Sequence, residues 1–262
     1  MENYKILFLD IDGTILRPDN TIEESTKTAV SAMKEKGIET VLATGRPIHE
    51  IREIGEELNI SSYIGYNGAL AIYNGEEIFS EPMDAEKVKA ILDVAAKQQH
   101  EVVLYTNNRN YFTSMDSPKV EDFKQMFHLR QNALFTEDVL HDILGLTIIA
   151  RGEEDHQKYN LGNDIHLSQV NIEGMRHCFD VIRNKVNKGI GVAFLLDRLG
   201  IPREASIAFG DGMNDKEMLG AVGEGFAMGN AHEDLFAYAK HKTTAVTDSG
   251  IYNGLKQLGL LD

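Results

Sequence analysis

The sequence predicts a doubly wound, Rossmann-like α/β core with a mostly parallel sheet, interrupted by an inserted α+β domain. Three observations carry this. Residues 6–9 are an unbroken apolar run that stops at Asp10, the pattern of a strand buried on both faces of a parallel sheet. Strand and helix signals alternate up to about residue 80 and again from Asn187 to the C-terminus. Between about 83 and 184, strands outnumber helices and short turns join them, as in a separate α+β module. The expected partition is 1–82 with 185–262 for the core and 83–184 for the insertion.

Taken in order, Thr21 to Glu24 fit a capping box for a helix running to about Lys36, with Gly37 as its stop. Residues 39–43 read as the second strand. Pro47 then opens a helix carrying Ile48, Ile51, Ile54 and Leu58 on one side. A strand near Tyr63–Gly65 is followed by a hairpin over 69–80 around Asn74-Gly75. The insertion reads as a helix near 84–99, strands near 101–106 and 111–113, a helix from Ser117-Pro118, a strand over 143–150, a helix over 153–161, and strands over 164–171 and 178–184. The core resumes with a helix over 188–199 and a strand over 206–209. A helix near 214–221, a strand over 225–228 and helices over 231–239 and 250–259 close the chain.

Composition narrows the function. With 26 basic against 41 acidic side chains the net charge is −15, which disfavours nonspecific nucleic-acid or anionic-membrane binding. A phosphorylated small molecule is not excluded, because the local field decides that. The single cysteine, Cys178, forbids an intrachain disulfide and reads as a small buried hydrophobe. Met1-Glu2-Asn3 does not begin a signal peptide, and no apolar run approaches spanning length. The expectation is a cytoplasmic protein. The sequence does not fix its oligomeric state.

The chemistry-bearing residues fall at predicted strand ends or helix starts. Asp10 and Asp12 follow the first strand, and their spacing of two lets them point the same way. Ligands of open α/β sheets bind beyond the carboxyl ends of the strands. Thr44-Gly45-Arg46 follow the second strand, Lys188-Gly189 open a helix, and Gly210-Asp211-Gly212-Met213-Asn214-Asp215 follow the strand at 206. Several acids at one place repel one another unless a cation sits among them, and oxygen ligands of this kind suit Mg²⁺. Helix N-termini, Lys188 and Arg46 supply the positive side for an anion. Neither an EF-hand nor a P-loop fits. Thr14 and Ile15 stand where an EF-hand needs Asp/Asn and Gly, and no Gly-x-x-x-x-Gly-Lys-Ser/Thr run is present.

As a set, Asp10-x-Asp12-Gly13-Thr14, Leu42-Ala43-Thr44-Gly45-Arg46, Asn187-Lys188-Gly189 and Gly210-Asp211-Gly212-x-Asn214-Asp215 resemble the haloacid dehalogenase superfamily. More narrowly they are similar to the Cof-type phosphatases, which carry a type-IIB cap between the second and third motifs. Asn67-Gly68-Ala69, Ala227-Met228-Gly229-Asn230-Ala231 and Asp248-Ser249-Gly250-Ile251 follow the same subfamily pattern. The resemblance implies a Mg²⁺-dependent phosphatase of small phosphorylated metabolites such as sugar phosphates. Asp10 would be the nucleophile that forms an aspartyl-phosphate, and Asp12 the acid and then the base. Asp10, the Asp12 main-chain carbonyl, Asp211 and Asp215 would serve the metal. Thr44, Gly45, Lys188 and Asn214 would hold phosphoryl oxygens, and Arg46 the phosphate or the substrate body. The cap would choose the substrate, with Tyr105, Asn107, Asn108, Arg109, Tyr111 and Arg183 as candidates. The alternatives are a phosphosugar mutase of the same superfamily and a phospho-ligand-binding regulator without turnover.

Overall fold

The computed structural model describes residues 4–262. Along the chain run β1 (Ile6–Leu9), α1 (Glu24–Glu35), β2 (Glu39–Ala43), α2 (Arg52–Glu57), β3 (Tyr63–Gly65), β4 (Leu70–Tyr73) and β5 (Glu76–Ser80). They are followed by α3 (Ala85–Gln98), β6 (Glu101–Tyr105), β7 (Asn110–Phe112), α4 (Pro118–Met126), β8 (Asn132–Leu134), β9 (Gly145–Ile149), β10 (Ile165–Gln169) and β11 (Cys178–Arg183). The last are α5 (Lys188–Leu199), β12 (Ser206–Gly210), α6 (Lys216–Ala221), β13 (Glu224–Ala227), β14 (His241–Lys242) and α7 (Gly250–Gln257). The described chain forms two compact units. One holds the residues up to Arg46, Arg52–Phe79 and Asn187–Asp262, the other Pro47–Ile51 and Ser80–Val186.

The first unit is built on an eight-stranded sheet of order β14-β13-β12-β1-β2-β3-β4-β5. The bonds from β14 through to β3 are parallel, and β4 turns back antiparallel on β3. All four residues of β1 are fully buried, as the apolar run requires of a central parallel strand. On one face Ile6, Phe8, Val41, Ile64 and Ala208 pack with Val192, Leu195 and Leu196 of α5 and with Met218 and Leu219 of α6. The helix α5 is capped by the Asn187 side chain, which accepts from Ile190 N at 3.1 Å, and ends at Gly200 in the left-handed region.

In the second unit the sheet order is β10-β11-β9-β6-β7-β8, antiparallel except where β7 meets β8. One apolar cluster joins Val88, Ile91 and Ala95 of α3 to Val102, Leu104, Leu146 and Ile148. Another joins Val120 and Phe123 of α4 to Val103, Phe112, Ile149 and Cys178. Cys178 is buried and its thiol is pushed up to about 12 by burial, so it behaves as the apolar group expected of it. No helix among the described residues is long and apolar enough to cross a membrane.

Four local expectations are corrected. Thr21 does not cap α1; its N–H and hydroxyl both donate to Asp19 Oδ1, at 3.1 and 2.5 Å, and the helix begins at Glu24 with no side-chain cap. The helix expected from Pro47 is broken into a 3₁₀ turn, Ile48–Glu50, and α2. The physical reason is a buried polar knot in the second unit. His49 Nε2 lies 2.9 Å from Asn110 Oδ1, while Glu50 Oε1 accepts from Asn110 Nδ2 at 2.6 Å and from Arg130 N at 3.1 Å. These bonds hold residues 47–51 away from the helical path that their apolar spacing suggests. The helices expected over 153–161 and 231–239 are 3₁₀ stretches, Glu153–Lys158 and Glu233–Ala237. Two short strands, β8 and β14, carry no apolar alternation long enough to be read in advance.

Candidate active site

Because β1 lies between β12 and β2 and runs parallel to both, the three strands end on the same edge. That edge receives Asp10 after β1, Thr44 after β2 and Asp211 after β12. Lys188, the first residue of α5, completes the group, all of it within the first unit. Carboxylate oxygens of Asp10, Asp211 and Asp215 lie within 4.8 Å of one another. Lys188 is fully buried and donates from Nζ to Asp10 Oδ1 and to Asp215 Oδ1, both at 2.6 Å. The other oxygen of Asp215 accepts from Asp211 N and Gly212 N, each at 3.0 Å. Asp215 is therefore engaged at both oxygens, by a lysine and by two loop amides, and it fixes the loop that carries Asp211.

Burial and crowding set the charge states. Burial, with Asp215 and Asp211 adding to it against the pull of Lys188, raises the Asp10 carboxyl from its usual value to about 8. Asp211 is raised to about 7, again first by burial and then by Asp215. Carboxyl oxygens of Asp10 and Asp211 lie within 4.8 Å of each other, and two buried acids this close are best accommodated with a proton between them. Lys188 is raised, because Asp10 and Asp215 outweigh the burial that would lower it. Asp10 and Asp211, crowded with a third carboxyl group around one ammonium, thus hold protons where a cation would serve better. Hard oxygen donors this close, on a fixed loop, fit a divalent cation of the Mg²⁺ or Ca²⁺ kind.

Asp12 is differently placed. Its carboxylate is half exposed and both oxygens meet the Arg46 guanidinium: Nε donates to Oδ2 at 2.8 Å and Nη2 to Oδ1. Arg46 N donates in turn to Thr44 Oγ1 at 3.1 Å. Thr44 is almost fully buried and keeps its hydroxyl hydrogen for another acceptor. Asn214 donates to Asn67 Oδ1 at 3.4 Å, and Gly45 lies against the same amide, where an added Cβ would sit 3.1 Å from that oxygen. Gly13 stands at φ +76°, and a Cβ there would fall 2.1 Å from Asp211 Oδ2, so only glycine fits.

All the sequence-singled residues of the first unit thus share one end of the sheet. Two neighbours escaped a role in the sequence reading. Asn230 Nδ2 donates to Gly13 O at 2.8 Å and to Asp211 Oδ2 at 3.3 Å, and its Oδ1 accepts from Val246 N at 2.8 Å. It ties Asp211 to the loop after β1. Asn67, in the left-handed region at φ 53°, positions Asn214. Both lie in segments quoted as subfamily pattern, and a polar amide beside glycine was the available signal. In the second unit Arg183 spends its guanidinium on Glu81 O at 2.8 Å and Leu144 O at 3.1 Å, a structural use.

Comparison with known proteins bears on these geometries. The sequence profile of the haloacid dehalogenase-like hydrolases matches residues 7–255. A putative phosphatase of Bacillus subtilis, YkrA, is 31% identical over 260 residues, covering 98% of both chains. A hypothetical protein from Geobacillus kaustophilus superposes with a TM-score of 0.90 at 30% identity, covering 98% of this chain and 100% of its own. The subclass IIB sugar phosphatase BT4131 superposes with a TM-score of 0.80 at 26% identity, over 98% and 100% of the two chains.

Proposed function

The chain belongs to the haloacid dehalogenase-like hydrolase family, and on that premise we propose that it is a Mg²⁺-dependent phosphatase of small phosphorylated metabolites, sugar phosphates among them. The observation that carries the reading is the cluster of Asp10, Asp211 and Asp215 around one buried lysine at the mouth of β1, with Asp12 two residues beyond. The sugar phosphatase named among the relatives supports the substrate class.

In this mechanism Asp10 attacks phosphorus. A bond forms between its carboxylate oxygen and phosphorus, and the ester P–O bond breaks. Asp12 gives its proton to the leaving oxygen, then takes one from the water that hydrolyses the aspartyl-phosphate. Lys188 has a third N–H beyond the two used on Asp10 and Asp215. That donor, the Thr44 hydroxyl, Gly45 N–H and Asn214 are suited to the phosphoryl oxygens. Asp10, Asp211 and the Asp12 main-chain carbonyl would hold Mg²⁺, with Asp215 supporting from behind through Lys188 and the loop amides. Bound there, the ion supplies positive charge between an anionic nucleophile and an anionic ester. The inserted unit, approximately residues 83–184, is proposed to choose the leaving group.

The test is phosphate release from a panel of sugar phosphates and p-nitrophenyl phosphate, with Mg²⁺ and with chelator. Release that needs Mg²⁺ and disappears in Asp10→Asn is expected. An Asp10→Asn protein that still turns over ends the nucleophile assignment, and no release from any ester ends the phosphatase reading.

A further inference from the structure

Asp12 is asked to point an oxygen at the leaving group, yet both of its oxygens are turned to Arg46. Both accept from Arg46, one of them at 2.8 Å, in a two-pronged pair. Planar guanidinium–carboxylate pairing of this kind fixes orientation as well as charge. Swinging an Asp12 oxygen toward a leaving group therefore requires this pair to open.

Three further observations say how it opens. Both partners are well exposed, Arg46 at 41% and Asp12 at 55%, and exposed ion pairs are cheap to break. The Arg46 backbone is held on both sides: its N–H donates to Thr44 Oγ1 at 3.1 Å and its carbonyl accepts from Tyr66 N at 3.4 Å. The moving part is then the side chain alone. Finally, the Arg46 backbone is bonded directly to Thr44, a proposed phosphoryl contact, so a phosphoryl group seated there lies within reach of a long arginine. A phosphate ester dianion offers three oxygens and twice the charge of a carboxylate, which is the better partner for a guanidinium.

We propose that Arg46 is an exchange clasp: it holds the Asp12 carboxylate in the resting enzyme and transfers to the phosphoryl oxygens when substrate binds, releasing Asp12 to take a proton from solvent water and pass it to the leaving oxygen. The clasp rests on the phosphatase reading for its purpose, but not for its detection. While the phosphoryl group remains in the site, first as ester and then on Asp10, Arg46 stays with it and Asp12 is free for both of its steps. When inorganic phosphate leaves, the pair re-forms. Proton transfer is thereby conditional on an anion being seated.

The experiment measures inorganic phosphate binding by calorimetry, in the presence of Mg²⁺, for the wild type, Asp12→Ala, Arg46→Met and the double variant. If Asp12 competes with phosphate for Arg46, removing it tightens phosphate binding. The gain reaches about fivefold, the factor equivalent to the ~1 kcal/mol upper worth of an exposed pair. Arg46→Met weakens binding about tenfold or more, as loss of a charge-assisted contact should. In the Arg46→Met background the Asp12→Ala gain vanishes. An unchanged affinity in Asp12→Ala overturns the clasp. So does a gain that persists without Arg46, since it would then be simple relief of charge repulsion. A second reading uses the ¹⁵Nε resonance of Arg46, assigned by its absence from Arg46→Met. It should differ between wild type and Asp12→Ala without phosphate and coincide at saturating phosphate; a resonance that phosphate does not move also overturns the clasp. Circular dichroism checks that each variant is folded. These are binding measurements, so a failed ester screen and a failed exchange remain separate outcomes.

Discussion

Asp10→Asn and Asp215→Asn are the same substitution on two carboxylates that share one lysine, yet the metal-free protein should respond to them very differently. Asp215 is fully buried and each oxygen has a different duty: one accepts from Lys188 at 2.6 Å, the other from Asp211 N and Gly212 N at 3.0 Å. An amide has only one accepting end. If its oxygen stays with the two loop amides, its NH₂ faces the lysine, donor against donor. Breaking one side of a buried charge pair costs about 3–5 kcal/mol. The lower figure applies because Lys188 keeps Asp10. At roughly 2–4 °C per kcal/mol for a unit of this size, a loss of about 3 kcal/mol lowers Tm by about 6–12 °C.

Asp10 is the opposite case. Its carboxyl is raised to about 8, so near neutrality it already carries a proton much of the time. An asparagine there accepts from Lys188 through its oxygen and turns its NH₂ toward the nearby Asp211 carboxyl, standing in for the protonated acid. The expected change at pH 7 is within about 1 kcal/mol. The sign with pH follows. A carboxyl whose folded value lies above its unfolded one stabilises the fold fully at acid pH and loses that contribution as pH rises through the folded value. Without metal, the wild type should therefore lose stability between about pH 4 and 8, the window set by Asp10 and by Asp211 at about 7. Asp10→Asn removes its part of that slope and should overtake the wild type by pH 9. Thermal unfolding followed by circular dichroism in chelator, at steps from pH 5 to 9, measures all of this. Equal losses for the two variants, or a wild type no less stable at pH 9 than at pH 6, would refute the charge argument.

Two further outcomes follow from the same geometry. Gly13→Ala places a methyl 2.1 Å from Asp211 Oδ2 on a backbone at φ +76°; the left-handed conformation alone costs about 1–2 kcal/mol, and the displaced carboxylate should weaken Mg²⁺ binding at least tenfold by calorimetry. Mg²⁺ at about 100 times its Kd should raise wild-type stability by about 2.7 kcal/mol and flatten the pH slope, both read as Tm; an ion that leaves Tm unmoved contradicts a site at Asp10 and Asp211.

What the sequence disclosed and what it hid have physical causes. The parallel core was legible because β1 and β12 are buried on both faces, and such strands write an apolar run that ends where the chain turns into solvent. The end that carries the candidate site followed from that, since polar residues directly after such a run have one place to go. The break at Ile51 was hidden because Ile48, Ile51, Ile54 and Leu58 keep helical spacing. What overrides the spacing is a set of hydrogen bonds from Asn110 and Arg130, some sixty and eighty residues away in the chain, and no local window contains them. The pairing of Arg46 with Asp12 was equally invisible, because charge and reach allow an arginine there several partners. Asn230 went without a role for a related reason. Its work is done on Gly13 and Asp211, and the sequence separates it from the first by more than two hundred residues.

The charge arithmetic of the site connects these pieces. Four carboxyl groups, on Asp10, Asp12, Asp211 and Asp215, meet two side-chain cations among the described residues, Lys188 and Arg46. A chain of net charge −15 offers an approaching phosphate dianion no long-range attraction, so whatever draws the substrate in must act at short range. Lys188 cannot do this alone, because two of its three donors are committed to Asp10 and Asp215. Arg46 is the cation whose present partner is exposed and replaceable. On the proposed mechanism, the resting site thus keeps the Arg46 charge on the carboxylate that proton transfer later needs free. Under the proposed clasp, the same movement that satisfies the substrate's charge frees the Asp12 carboxylate to take up a proton from water and act as the donor.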